Sequence, residues 1–278
     1  MQAGVLKGKR GQTPFPRADG APGKGVCPLF TLIHGWGLNA GVWDDLVPAL
    51  EGDAQVLAVD LPGHGRLAGE GCLGELDDVA DRVVATTAPL TDSHDSGALT
   101  LIGWSLGALV AIRAATRHPD RVGKVILVAG TPRFVQGEGW PHAMRAPVLD
   151  AFAQGLAANY RSTLNRFLAL QFHGLDNAQD ALRGLRARLL DSPPAEQALH
   201  EGLEWLRRCD LRDELAALDC PVHAILGEYD TLVPSGVGEQ LRALRPGMKT
   251  PVIERAGHAP FLSRPQAFEE TLRSLLHD

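Results

Sequence analysis

The chain has 278 residues, 45% of them hydrophobic and 22% charged, a balance that supports a full globular core and suits one large α/β domain. Its formal net charge of −6 argues against nucleic acid as a partner. Four dispersed cysteines, Cys27, Cys72, Cys209 and Cys220, form no C-x-x-C pair, so no zinc site or disulfide framework is indicated and buried, reduced thiols are expected.

Residues 1–25 read as a tail, rich in Pro and Gly and without period. No apolar stretch of signal-peptide length follows Lys7, Lys9 and Arg10. The longest apolar run, around residues 101–112, is shorter than the ~18 residues of a membrane span and is interrupted by a serine and glycines. A cytoplasmic protein with no membrane association is expected.

Short apolar runs then alternate with longer amphipathic ones. Leu29–Ile33, Gln55–Val59, Leu99–Ile102, Lys124–Val128 and Val222–Leu226 read as strands, and Pro251–Ile253 as a weaker one. Helical spacing falls at about Val42–Leu50, Leu76–Ala88, Leu106–Arg117, Val237–Leu244 and Pro265–Leu276. Continuous apolar strands alternating with helices predict a mostly parallel sheet flanked by helices, the α/β class. The alternation breaks over 131–219, where helices are expected near Pro147–Ala158, Tyr160–Gln171, Asn177–Leu190 and Ala195–Arg207. The expected organisation is therefore a tail (1–25), an α/β core (26–130 and 220–278) and a helical cap inserted between two strands (131–219). Ligands of such sheets bind at the carboxyl ends of the strands, so the insertion is expected to cover a site.

The chemistry begins at Gly103-Trp104-Ser105-Leu106-Gly107. A serine between glycines, directly after a strand and before a helix, fits a turn so tight that only glycine clears its flanks. The serine would stand exposed above the sheet, with the helix N-terminus aimed at any oxyanion formed there. A serine nucleophile needs a base, and of ten histidines His258 stands in a loop after the last strand. The base needs a carboxylate. Asp230 follows a buried strand and gives the chain order Ser…Asp…His; Glu228 is a rival two residues earlier, and a solvated loop carboxylate would explain either. An oxyanion hole needs two donors, expected from the N–H of Leu106 and, from the His34-Gly35-Trp36-Gly37 loop, the N–H of Trp36. His34 is expected to brace that loop. No ligand cluster suggests a metal or cofactor.

Past residue 28 the chain resembles the α/β-hydrolase superfamily, through "LIHGWGLNAGVWDDL", "AVDLPGHGR", "GWSLGALVA", "GEYDTLVP" and "AGHAPFLSRP". Within it, "HGWGLNAGVW", "GWSLGALVA", "NRFLALQ" and "AGHAPF" are most similar to the pimeloyl-[acyl-carrier protein] methyl ester esterases of biotin synthesis. The resemblance implies a serine carboxylesterase with Ser105 as nucleophile, Asp230 as orienter and His258 as general base and acid. It implies that Trp36 and Leu106 contact the ester oxygen and that Phe167, Leu168, Ala169, Leu170 and Gln171 line the acyl site. It also implies acyl carrier protein as the bearer of the substrate. Residues 161–190 hold Arg161, Arg166, Arg183, Arg186 and Arg188 against Asp176 and Asp180, a local +3 on an acidic chain. Such a face could receive an acidic carrier, or be an ordinary solvated helix face; Phe167, Leu168 and Leu170 could equally be helix core. A monomer is expected. A broad short-chain carboxylesterase without a carrier, and a ligand receptor built on the same scaffold, stay open.

Overall fold

In the computed structural model, which describes residues 27–52, 54–91, 96–171 and 192–278, the apolar runs form strands β1 (Cys27–Ile33), β2 (Gln55–Val59), β3 (Ser96–Trp104), β4 (Val122–Val128), β5 (Val222–Gly227) and β6 (Val252–Ile253). They pair in one wholly parallel sheet of order β2-β1-β3-β4-β5-β6. Parallel strands must be covered on both faces, which is why β5 is buried along its whole length and shows no polar alternation.

The strand order positions the site. From β1 the chain steps outward to β2, then returns to β1's other side as β3. The loops leaving the carboxyl ends of β1 and β3 therefore diverge and open a crevice between them. Register keeps those ends level, with Ile33 beside Gly103 and Trp104 beside Val128.

Helix α3 (Leu106–Arg117) carries apolar residues on nearly every side and is buried continuously from Leu106 to Ile112. It packs on β3 and β4 and against α2 (Leu76–Thr91), so it is a central helix, not an amphipathic surface one. The expected helix at Val42–Leu50 is two pieces, a 3₁₀ turn at Ala40–Trp43 and α1 at Val47–Leu50. Pro48 explains the break: it has no N–H to continue a helix from the preceding turn but is accepted near the start of a new one.

Between β4 and β5 lie α4 (Ala146–Ala158), α5 (Tyr160–Gln171), α6 (Glu196–Arg208) and the short α7 (Arg212–Ala217). Six residues are too few to show a helical period, so α7 has no sequence signature. The expected helix at Asn177–Leu190 and the tail at 1–25 lie outside the described residues. After β5 come α8 (Val237–Leu244), α9 (Pro260–Ser263) and α10 (Pro265–Leu276), which buries Phe268, Leu272 and Leu275 at helical spacing. No described helix is long and apolar enough to cross a membrane. The described thiols, expected to be buried, are not: Cys72 is exposed and Cys209 and Cys220 are half-buried.

Candidate active site

Ser105 joins β3 to α3 with φ +53° and ψ −119°, a backbone conformation that L-residues rarely adopt. The glycines on either side make it sterically feasible. A Cβ on Gly103 would lie 2.3 Å from the Gly107 carbonyl oxygen, and one on Gly107 would lie 2.5 Å from that of Ile33. Only with both absent can α3 start directly over the end of β1. The turn is pinned by Ser105 N–H donating to the Val128 carbonyl at 3.0 Å and Ala108 N–H donating to the Ser105 carbonyl at 2.8 Å.

Asp230 and His258 arrive from the ends of β5 and β6. His258 Nδ1 donates to Asp230 Oδ2 at 2.8 Å, and Ser105 Oγ donates to His258 Nε2 at 2.8 Å. The first bond fixes the tautomer: with the proton on Nδ1, Nε2 carries the lone pair that faces the serine. The other carboxylate oxygen of Asp230 accepts N–H bonds from Leu232 (2.8 Å) and Val233 (2.9 Å), so the buried carboxylate is satisfied on both sides. Glu228, the rival carboxylate, is exposed and accepts the N–H of Arg255 at 2.7 Å, where it braces the next loop. Gly227 allows the β5 and β6 loops to meet, since a Cβ there would come 2.3 Å from the Gly257 carbonyl oxygen.

The β1 loop lies over the serine, which is buried and not exposed as expected: a Cβ on Gly35 would be 3.1 Å from Ser105 Cβ. His34 is wholly buried, donates from Nδ1 to the Gly35 carbonyl at 2.8 Å and accepts the Leu61 N–H on Nε2 at 3.0 Å. It braces the loop, as expected from sequence. Burial, reinforced by the neighbouring His64 ring 5.2 Å away, pushes its pKa down to about 3. Leu106 is the first residue of α3, so its N–H has no partner inside the helix. Among the described residues neither this N–H nor that of Trp36 donates a hydrogen bond. The Trp36 side chain is buried, with its indole N–H donating to the Leu199 carbonyl of α6 at 2.8 Å.

Phe167 meets Trp36 edge-on at 4.9 Å and Phe152 at 6.2 Å, which puts an aromatic wall from α4 and α5 beside the β1 loop. Leu168, Ala169, Leu170 and Gln171 continue α5 to its end. Arg161 and Arg166 are exposed on the same helix, while Arg183, Arg186 and Arg188 lie outside the described residues. Two contacts have no sequence signal. Trp104, the first variable position of the serine motif, donates its indole N–H to the His258 carbonyl at 2.7 Å. Gly202 of α6 faces both Trp36 and Leu106. A groove of about 810 Å³ between the start of α2 and α6, lined by Asp77, Arg113, Glu201 and Trp205, contains none of the Ser105, Asp230 and His258 side chains. Among the described residues no group of three or more His, Cys, Asp or Glu side chains could hold a metal ion.

Residues 32–271 match the family described as "Alpha/beta hydrolase family". A pimeloyl-[acyl-carrier protein] methyl ester esterase of Klebsiella pneumoniae (strain 342) is 40% identical over 254 residues, covering 91% of this chain and 95% of that one. Its counterpart in Methylococcus capsulatus is 41% identical over 252 residues, covering 90% and 94%. Among solved structures, an esterase from Exiguobacterium antarcticum superposes with a TM-score of 0.80 at 23% identity, over 91% of this chain and 93% of that one, a likeness of fold. The chain belongs to the alpha/beta hydrolase family, and within it to the pimeloyl-[acyl-carrier protein] methyl ester esterases.

Proposed function

We infer that this protein hydrolyses the methyl ester of pimeloyl-[acyl-carrier protein], releasing methanol and the free ω-carboxylate for biotin synthesis. The observation that carries the reading is the unbroken chain of hydrogen bonds from Ser105 through His258 to Asp230. Family membership supplies the substrate.

Ser105 Oγ attacks the ester carbonyl carbon as its proton passes to His258 Nε2. The carbonyl oxygen becomes an oxyanion that accepts hydrogen bonds from the N–H groups of Trp36 and Leu106. Asp230 stabilises the imidazolium through Nδ1 and takes no proton itself. Collapse of the tetrahedral intermediate breaks the bond to the methoxy oxygen, which leaves as methanol with the proton from His258. A water, deprotonated by the same imidazole, then attacks the acyl-serine. The second intermediate expels Ser105 and releases the carboxylate. Phe167, with the stretch to Gln171 behind it, would flank the seven-carbon chain, and the segment 131–219 would act as the cap over it.

The test is mass spectrometry of pimeloyl-carrier methyl ester incubated with the protein, beside free dimethyl pimelate. Loss of one methyl group from the carrier-bound ester, at a higher kcat/KM than from the free diester, is the expected result. Equal rates would favour a broad carboxylesterase without a carrier; no turnover of either would leave a receptor.

A further inference from the structure

We infer that α6 forms the back wall of the oxyanion hole, and that Gly202 is a positioning residue for it. This rests on the serine-esterase reading above.

The geometry centres on the Trp36 indole. Its N–H donates to the Leu199 carbonyl at 2.8 Å, and three residues further along the same helix a Cβ on Gly202 would lie 2.7 Å from Trp36 Cδ1 and 3.2 Å from Leu106 Cδ1. The side chains of both candidate oxyanion donors therefore rest on one bare patch of one helix. Neither can move toward α6, and the indole bond prevents Trp36 from moving away.

The helix is itself fixed to the core. Ala195 N–H, just before it, donates to the Gly63 carbonyl at 2.8 Å, and the Glu201 carboxylate accepts the N–H groups of Leu73 at 2.6 Å and Gly74 at 3.0 Å. These anchors lie in the segment between β2 and α2. They hold α6 against the core independently of its contact with Trp36. An added methyl at 202 must therefore displace the indole, and with it the backbone of a loop whose N–H groups have to meet an oxyanion within tenths of an ångström.

The experiment uses the full chain, p-nitrophenyl butyrate as substrate and a short-chain alkyl trifluoromethyl ketone, which adds to a nucleophilic serine as a tetrahedral oxyanion. The variants are Gly202→Ala, Trp36→Phe and the two combined. Gly202→Ala is expected to lower kcat by roughly 10- to 100-fold, with KM within about twofold and ketone affinity falling in parallel with kcat/KM. Trp36→Phe, which frees the ring from Leu199 and adds no atoms, should shift the same readings in the same direction. The combined variant should lose far less than the product of the two, because both act on one ring. Native kcat and ketone affinity in Trp36→Phe would overturn the inference, even if Gly202→Ala fails to fold. So would losses confined to KM, or losses that multiply independently. An unaltered protein that turns over no ester overturns the esterase reading, and this inference with it.

Discussion

The indole N–H of Trp104 donates to the backbone carbonyl of His258 at 2.7 Å, so the residue before the candidate nucleophile holds the loop of the candidate base. The same indole packs edge-on against Phe261 at 5.1 Å, in the short helix that follows that loop. Trp104→Phe keeps most of the packing and leaves a buried carbonyl without its donor, a loss of about 1–3 kcal/mol in stability. It should also lower kcat several-fold while sparing KM, because His258 becomes less well aimed at Ser105. Urea unfolding and ester kinetics on the same variant check both. A variant that is destabilised yet fully active would show that the bond serves the fold alone.

Ser105→Ala should abolish hydrolysis, and His258→Ala should be nearly as severe, since the two act as a unit. Asp230→Asn is the more instructive change. One side-chain oxygen can still accept from Leu232 and Val233, so the loop stays in place. The amide nitrogen then faces Nδ1, and the imidazole must place its proton on Nε2, where it can no longer accept from Ser105. A loss on the order of 10³-fold or more is expected, with circular dichroism unchanged. Near-native turnover by Ser105→Ala would exclude the serine mechanism.

The buried His34 links site architecture to acid stability. In the unfolded chain its ring would take a proton at its ordinary value of 6.5, whereas in the folded protein it does so only at about pH 3. Below pH 6.5 the unfolded state thus holds the extra proton, and stability present above that pH is lost as pH falls toward 3. Each such ring contributes a slope of at most about 1.4 kcal/mol per pH unit. His64 adds to the same trend, because burial also lowers its pKa. Burial alone would raise the pKa of the nearby Asp60. Hydrogen bonds from Arg66 and from the N–H of Ala40 outweigh that and hold its carboxyl below the ordinary range, so it stays ionised between pH 5 and pH 7. Urea midpoints measured at pH 7, 6 and 5 should fall steadily, and His34→Gln should flatten the slope. A midpoint independent of pH over that range would contradict neutral burial of the two rings.

What could be read from the sequence divides along the range of the contacts. The serine elbow is legible because its requirements are local: Gly103 and Gly107 stand within two residues of Ser105 and leave a pattern. The order Ser105, Asp230, His258 is legible because each follows a strand, plain in its apolar run before Ser105 and Asp230 and weaker before His258, where β6 is two residues long. The choice between Asp230 and Glu228 rests on side-chain direction. Asp230 turns back toward its own loop and His258, while Glu228 turns outward to the Arg255 N–H. Trp104 and His258 are 154 residues apart, and Trp36 and Leu199 are 163 apart; contacts at that range imprint no spacing on a chain. The break at Pro48 was locally encoded, but periodicity over Val42–Leu50 masked it.

The carrier prediction turns on charge. Arg161 and Arg166 stand exposed on α5, the helix that also places Phe167 against Trp36, so any partner meeting that helix sits close to the aromatic wall. Arg161 donates to the Tyr160 hydroxyl at 3.0 Å. Together with Arg183, Arg186 and Arg188 these residues give a basic stretch on a chain of net charge −6, suited to steering an acidic carrier protein. Exposed single charges act weakly, so one substitution should move little. Arg→Glu at all five should raise KM for the carrier-bound ester by about 10-fold or more and flatten its salt dependence, because steering is what salt screens. Hydrolysis of p-nitrophenyl butyrate should stay near native, since Ser105, His258 and Asp230 are untouched. Equal slowing of both substrates would show that the arginines support the fold and dock nothing. Slowing of neither would mean that the carrier is met elsewhere or not at all.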